Sequence, residues 1–243
     1  MLTGFYSAAT ALNRAQEHHE LVAFNLAHAA VPGYRQRLEA SATFESQFDQ
    51  ALAASTGNQE RYGARRSGVF VDTTPGPIEF TGAPLDLAIR GSGFFVVEGP
   101  EGPLYTRSGS LALNAARELV TSSGYPLLGA GGRITLPENT AAITVLHDGT
   151  VLADGQAVGQ IRLVEIRDPR ALEPVGATLF RAPPGVVGDA NDSSVIQGYR
   201  ENSNVDMVGE LIQLITGLRH FEAAQRALHV LSDSLQLQTR PNA

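Results

Sequence analysis

The sequence predicts an α+β chain in which paired N- and C-terminal helices form a coiled-coil-like stalk and an antiparallel all-β domain is inserted between them. Three observations carry this. Near the start, Phe5, Ala8, Leu12, Ala15, His19, Val22, Leu26 and Ala29 recur at alternating three- and four-residue steps, the period of one helical face. Near the end, Leu211, Leu214, Leu218, Phe221, Gln225, Leu228, Ser232 and Leu235 do the same, flanked by Val208, Ile215 and Leu231. Between them the period falls to two and glycine and proline punctuate the chain every few residues.

The first helix is expected to stop near Ala30, because Pro32 disfavours helical backbone in the residue before it and Gly33 permits a turn. Residues 34–75 read as a linker or extension, with helix-like apolar positions at Phe44, Phe48, Ala51 and Leu52 before Ser55, Thr56, Gly57 and Asn58 break the pattern. Half-buried strands follow: Val69 and Val71, then Ile78 and Phe80, then Leu85, Leu87 and Ile89 on one face with Asp86, Ala88 and Arg90 opposite. Further strands are predicted around 94–97, 104–106, 143–146 and 161–166, spaced too closely for crossover helices, which makes the middle antiparallel. Ser203 and Asp206 have capping-box spacing, with Asn204 as a competing cap, and start the last helix near Asn204. The predicted division is therefore 1–33 with 200–243 as a helical assembly domain, 34–75 as the extension and 76–199 as the β domain.

Small stripe residues such as Ala8, Ala15 and Ala29 allow close helix approach but offer little apolar area for a private two-helix core. Each helix needs partners, either its counterpart and neighbouring copies or, on an equally good reading of the spacing, the face of a sheet. The first alternative predicts ends that are mobile in a dilute monomer and helical in an assembly.

A net charge of −7 without a basic cluster argues against a nucleic-acid partner or an anionic membrane surface. Arg65 and Arg66 form the densest basic pair. No apolar run is long enough for membrane insertion, and no cleaved signal peptide is predicted. The absence of cysteine removes disulfides, thiolate nucleophiles and cysteine metal sites. None of the six histidines forms a metal-binding i, i+4 pair, and His19 reads as a packing residue or a polar register mark within its stripe.

Gly91-Ser92-Gly93 lacks the following helix that a phosphate loop requires and reads as a strand turn. Ser108 and Ser110 have no neighbouring base. Glu17 and Glu20, like Glu201 and Asp206, read as solvated helix faces and cap groups. Asn191-Asp192-Ser193 is a short glycosylation pattern of little weight. No catalytic residue, cofactor or metal site is predicted.

Three stretches, in order, carry a family resemblance. Asn25-Leu26-Ala27 is followed by Gly33-Tyr34-Arg35. Leu85 to Phe95 then leads into Tyr105-Thr106-Arg107-Ser108-Gly109, Leu119-Val120-Thr121 and Gly124-Tyr125-Pro126. Gln197-Gly198-Tyr199, Glu201 and Ser203-Asn204-Val205 precede Arg219, Phe221 and Glu222. Together they resemble the axial rod and hook proteins of the bacterial flagellum, over nearly the whole chain. Phe24, His28 and Ala30 stand where that family usually has asparagines, and Arg117 where a turn glycine is common, so a positive φ at Arg117 is expected to be strained.

The resemblance implies a structural subunit, not an enzyme. Such a subunit leaves the cell through the flagellar type III export apparatus and polymerises with its own copies and sibling rod and hook subunits into a tubular drive shaft in the basal body. It implies assembly or structural roles for Asn25, Ala27, Gly33, Tyr34, Leu85, Asp86, Gly91, Gly93, Phe94, Ser203, Asn204, Val205, Leu218, Phe221 and Glu222. Asn25 and Asn204 are the expected cap or inter-chain hydrogen-bonding residues. A cell-wall-acting enzyme and a surface-binding module on a helical stalk are the competing readings.

Overall fold

The computed structural model describes residues 2–39, 69–190 and 192–239, with side chains for 9–10, 12–39, 69–190 and 192–230. Phe44, Phe48, Ala51, Leu52, the break at 55–58, Arg65, Arg66 and Asn191 lie outside the described residues, as do the side chains of Phe5, Ala8, Leu231, Ser232 and Leu235. The chain divides into two compact units, residues 1–29 with 205–243, and residues 30–204.

The helical unit consists of α1 (Leu2–His28) and α2 (Met207–Thr239). Helix α1 ends just before Pro32, and the chain turns at Gly33 with φ +72°. In its last turn His28 stacks on Phe24 at 4.2 Å and its Nδ1 lies 2.8 Å from the Phe24 carbonyl oxygen. Helix α2 starts later than the Ser203/Asn204 cap predicts. Asp206 is the residue that caps it, its Oδ1 accepting from Val208 N at 3.1 Å while its carbonyl accepts from Glu210 N at 2.9 Å. Asn204 is drawn off by other partners: its Oδ1 accepts from Gln36 N at 2.7 Å and its Nδ2 donates to the Asp72 and Thr74 carbonyls.

The β unit is organised on a six-stranded sheet in the order Glu173–Pro174, Leu179–Arg181, Gly102–Thr106, Phe94–Gly99, Leu163–Ile166, Val187–Asp189. A three-stranded meander (Ile143–Val145, Thr150–Ala153, Gln156–Gln160) and several two-stranded ribbons surround it, and every strand pairing among the described residues is antiparallel. The apolar run Phe94, Phe95, Val96, Val97 is fully buried because the sheet has a core on each face. Phe95 and Val97 join Leu87, Ile89 and Leu127 on one side, while Phe94 and Val96 join Val71, Tyr105 and Phe180 on the other.

Two strand expectations need correction. Ala88, assigned to the solvent face opposite Leu87 and Ile89, is fully buried because that ribbon is covered on both sides, and only Arg90 reaches solvent. Ile78–Phe80, read as half-buried, is exposed along its whole length. The described parts of the extension also differ from a connector. Tyr34 and Arg35 are fully buried, and Arg37–Glu39 pairs with Val69–Val71. Their backbone is satisfied by strand pairing, which a free linker would leave to water.

Candidate assembly site: a buried ionic clasp and the outer face of the last helix

Three charged side chains meet inside the β unit where the chain enters after α1 and leaves before α2. Glu201 Oε1 receives Arg35 Nη2 at 2.5 Å and the Gly76 amide at 2.9 Å, and Oε2 receives Arg107 Nη1 at 3.3 Å. All three side chains are essentially inaccessible to water. Glu201, expected on a solvated face, is thus the hub of a buried Arg–Glu–Arg clasp, since its strand Tyr199–Glu201 turns it inward against two guanidiniums.

The clasp is extended by backbone groups. Gly33 N donates to the Glu201 carbonyl at 2.8 Å, and Arg107 Nη2 donates to the Gly91 carbonyl at 2.6 Å. The Arg107 guanidinium also lies 5.1 Å from the centre of the Phe94 ring. Burial pushes Arg107 down to about 10, against the opposing pull of Glu201 and with a further push from Arg35, so it stays charged at neutral pH.

Glycine is required at two of these positions. Gly33 has φ +72° and a Cβ there would run into the Ser108 backbone; Gly91 has φ +115° and a Cβ would meet the Ser193 hydroxyl at 2.7 Å. Gly93 donates its amide to Ser193 Oγ at 2.9 Å, so Gly91-Ser92-Gly93 is the bend between Leu87–Arg90 and Phe94–Gly99. Gly33, Gly91 and Phe94 thus contact a centre made by Arg35, Arg107 and Glu201, while Tyr34 is buried and Gly93 bonds Ser193. No local pattern marks these three as a centre: Glu201 is flanked by Arg200 and Asn202 and Arg107 by Thr106 and Ser108, and the ion pairs join segments remote in sequence.

Leu85 packs on the larger core, and the Asp86 carbonyl accepts from Gly198 N at 2.8 Å. Ser203 is buried, Val205 is half-buried, and Ala27 and Glu222 are exposed.

Within the helical unit, Asn25 of α1 donates to Glu210 Oε1 of α2 at 3.3 Å, with both side chains buried. Asn25 is thus engaged between helices of one chain and does not act as a cap. Among the described side chains of α2, the shielded positions beyond Gly209 are Glu210, Leu214, Gly217, Phe221, Ala224 and Leu228, at steps of four and three. This splits the predicted stripe. Leu214, Phe221 and Leu228 belong to the shielded row, whereas Leu211, Leu218 and Gln225 are exposed. Helix α2 carries two rows side by side, and the one containing Gly217 and Ala224 faces α1; a Cβ on Gly217 would sit 3.7 Å from His18 Cδ2, an ordinary contact. The other row, Val208, Leu211, Ile215 and Leu218, keeps three- and four-residue steps and is between 42% and 66% exposed. So regular an exposed apolar face marks an interaction surface.

Among the described residues no group of three or more acidic or histidine side chains is arranged to hold a metal ion, and no helix is long and apolar enough to cross a membrane.

Comparison with known proteins fits this geometry. Residues 88–153 match the flagellar hook protein FlgE/F/G D1 domain, and residues 196–238 match the C-terminal domain of the flagellar basal body rod FlgEFG proteins. The flagellar basal-body rod protein FlgG of Caulobacter vibrioides is 32% identical, over 95% of each chain. The chain belongs to the flagellar basal-body rod protein family. FlgF of Rhizobium meliloti is also 32% identical, over 91% of this chain and 90% of its own, and FlgG of Buchnera aphidicola subsp. Acyrthosiphon pisum is 29% identical over 97% and 98%. The expected family is thereby established, and it is one of structural rod proteins. The first match includes Gly91, Phe94 and Arg107; the second includes Glu201, Asn204 and the outer row of α2.

Proposed function

We propose that this chain is an axial structural subunit of the bacterial flagellar rod, polymerising into a helical tube that transmits torque from motor to hook. The observation that carries it is the exposed row Val208, Leu211, Ile215 and Leu218, an apolar helix face that a lone soluble chain has no use for. In this reading α1 and α2 form a coiled-coil-like stalk, Asn25 and Glu210 fix their register, and the outer row of α2 is buried against adjoining subunits. The helices serve as the assembly domain and the β unit as the inserted domain, with Gly33, Tyr34, Gly91, Gly93, Phe94, Ser203, Asn204 and Val205 holding the chain where it passes between them. Export runs through the flagellar type III apparatus, and the working location is the basal body.

Many repeated apolar contacts suit a drive shaft, because losing one weakens the assembly without dissolving it. Cryo-microscopy of isolated basal bodies tests the proposal. Density for this chain in the rod is expected, with stronger amide protection of both helices in the assembly than in the dilute monomer. Complete, rotating flagella in cells lacking the gene would overturn it.

A further inference from the structure

The sheet face that carries the smaller core borders a groove of about 400 Å³. Its floor is closed, since Val96 and Val164 are each 1% exposed. What meets water is mainly charged: Glu101, Arg162 and Arg181, together with the apolar edges of Pro184 and Val187. Glu101 and Arg181 answer each other at 2.7 Å. Arg162 forms no ion pair and no side-chain hydrogen bond among the described residues.

Tyr105 is the second unsatisfied group. Its side chain is 5% exposed, yet it lines the groove, and its hydroxyl bonds no protein group among the described residues and is not enclosed by them. A phenol sunk to that depth ordinarily finds a partner. Strand register brings the two groups together. Val96 pairs with Tyr105 and Phe95 with Leu163, so Tyr105, Val96 and Arg162 follow one another in a row across three strands. The first and last of them stand about 10 Å apart at Cα, two strand spacings, a gap that a phenol and a guanidinium rising from the same face can close around one small group. The Arg162 charge is near enough to oppose the upward push that burial gives the Tyr105 phenol.

We infer that the groove is a binding site for a carboxylate, held between the Tyr105 hydroxyl and the Arg162 guanidinium, with a short apolar stem against Pro184 and Val187. Burial keeps the phenol protonated at neutral pH, so it donates, and the guanidinium only donates. Two donors, one of them charged, suit an acid and repel an amine. Glu101 does not fill this role, because Arg181 already engages it. The carboxylate belongs either to a small organic acid or to an acidic side chain of an adjoining subunit. The site itself does not depend on the rod reading.

Propionate is the probe, titrated at constant ionic strength into the purified full chain while the Tyr105 ring and Arg162 Nε signals are followed by nuclear magnetic resonance. Saturable shifts of both, absent with propylammonium, are expected. Tyr105→Phe removes a hydroxyl that bonds nothing within the described chain, and Arg162→Gln removes a charge already in water, so each should leave the thermal midpoint unchanged and weaken propionate about tenfold or more. Failure to saturate, an equal response to propylammonium, or undiminished affinity in either variant would overturn the inference. In the ligand-free chain Arg162→Gln should also raise the pH at which Tyr105 ionises; no change would mean that the two groups do not share the groove, and overturns it as well. Basal bodies then identify the source of the carboxylate. Lowered incorporation of both variants assigns it to a neighbouring subunit, and normal incorporation of chains that no longer bind propionate assigns it to a free acid.

Discussion

Arg35 and Glu201 stand 166 positions apart and share a 2.5 Å ion pair from which water is excluded. One lies a few residues after α1 and the other a few before α2, so the pair fixes the two points at which the chain crosses into and out of the β unit. Arg107 completes the arrangement from the loop after the strand Gly102–Thr106. Two guanidiniums and one carboxylate leave a buried excess of positive charge, offset in part by the Gly91 carbonyl and the Phe94 ring. Such a cluster contributes geometry more than net stability.

Removing the hub should therefore cost far more than replacing the whole cluster. Glu201→Ala leaves two buried, uncompensated guanidiniums and is expected to lower stability by about 3–5 kcal/mol in urea unfolding. The triple change Arg35→Met, Arg107→Met, Glu201→Leu should return to within about 1 kcal/mol of the parent or exceed it. A Glu201→Ala chain as stable as the parent would show that the clasp is not the closed, water-free centre described here.

The clasp also shows where the sequence was legible and where it was not. Periodicity located both helices, Pro32 and Gly33 the turn after the first, and the apolar run Phe94 to Val97 a strand, because each is a local pattern. It could not separate the two rows of α2, which are one residue out of phase; the exposed row is the more hydrophobic, and burial by a distant helix selects the one that holds Glu210, Gly217 and Ala224. Nor could it show that Glu201 points inward. A carboxylate on a short strand reads as solvated until two arginines from remote segments are placed beside it. Asn204 failed as a cap for a similar reason, since Gln36, Asp72 and Thr74, all distant in sequence, claim its side chain.

Arg117 departs from the glycine common in its family, and its φ is +62°. Left-handed backbone costs an ordinary residue about 1–2 kcal/mol, of which the hydrogen bond from Arg117 Nη2 to the Pro137 carbonyl at 3.0 Å returns a part. Arg117→Gly should raise the melting temperature by about 2–4 °C, whereas Arg117→Ala should lower it, keeping the strain and losing the bond. A lower melting temperature for the glycine variant would count against strain at this turn.

Acid should expose the role of Arg133, which bonds Glu98 at 2.6 Å and Glu118 at 3.2 Å. The hydrogen bond from Arg133 holds Glu98 below the usual carboxylate range; Glu118 is held low first by the Asn114 amide and then by Arg133. A carboxylate with a lowered folded-state value adds stability that is present above 4.5 and disappears as pH falls through the folded value. The gap between the parent and Arg133→Ala should thus be widest near neutrality, narrow progressively as pH falls below 4.5, and shrink in high salt because Arg133 and Glu98 lie at the surface. Thermal melts across that range decide it, and a gap independent of pH would rule out the charge interaction as its cause.

Leu218 and Phe221 sit three residues apart on α2 yet belong to different rows, which allows folding and assembly to be separated. Leu218 is 42% exposed, so Leu218→Asp should leave the helicity and melting of the monomer as they were while blocking incorporation into the rod, where an aspartate would be buried without a partner. Phe221 lies in the shielded row with Leu214, Gly217 and Leu228, so Phe221→Asp should lower helical circular dichroism and amide protection already in the monomer. The β unit has its own two-sided core and should melt normally in both variants. If the two substitutions behave alike, in either direction, the assignment of one row to the helix pair and the other to the neighbouring subunit is wrong.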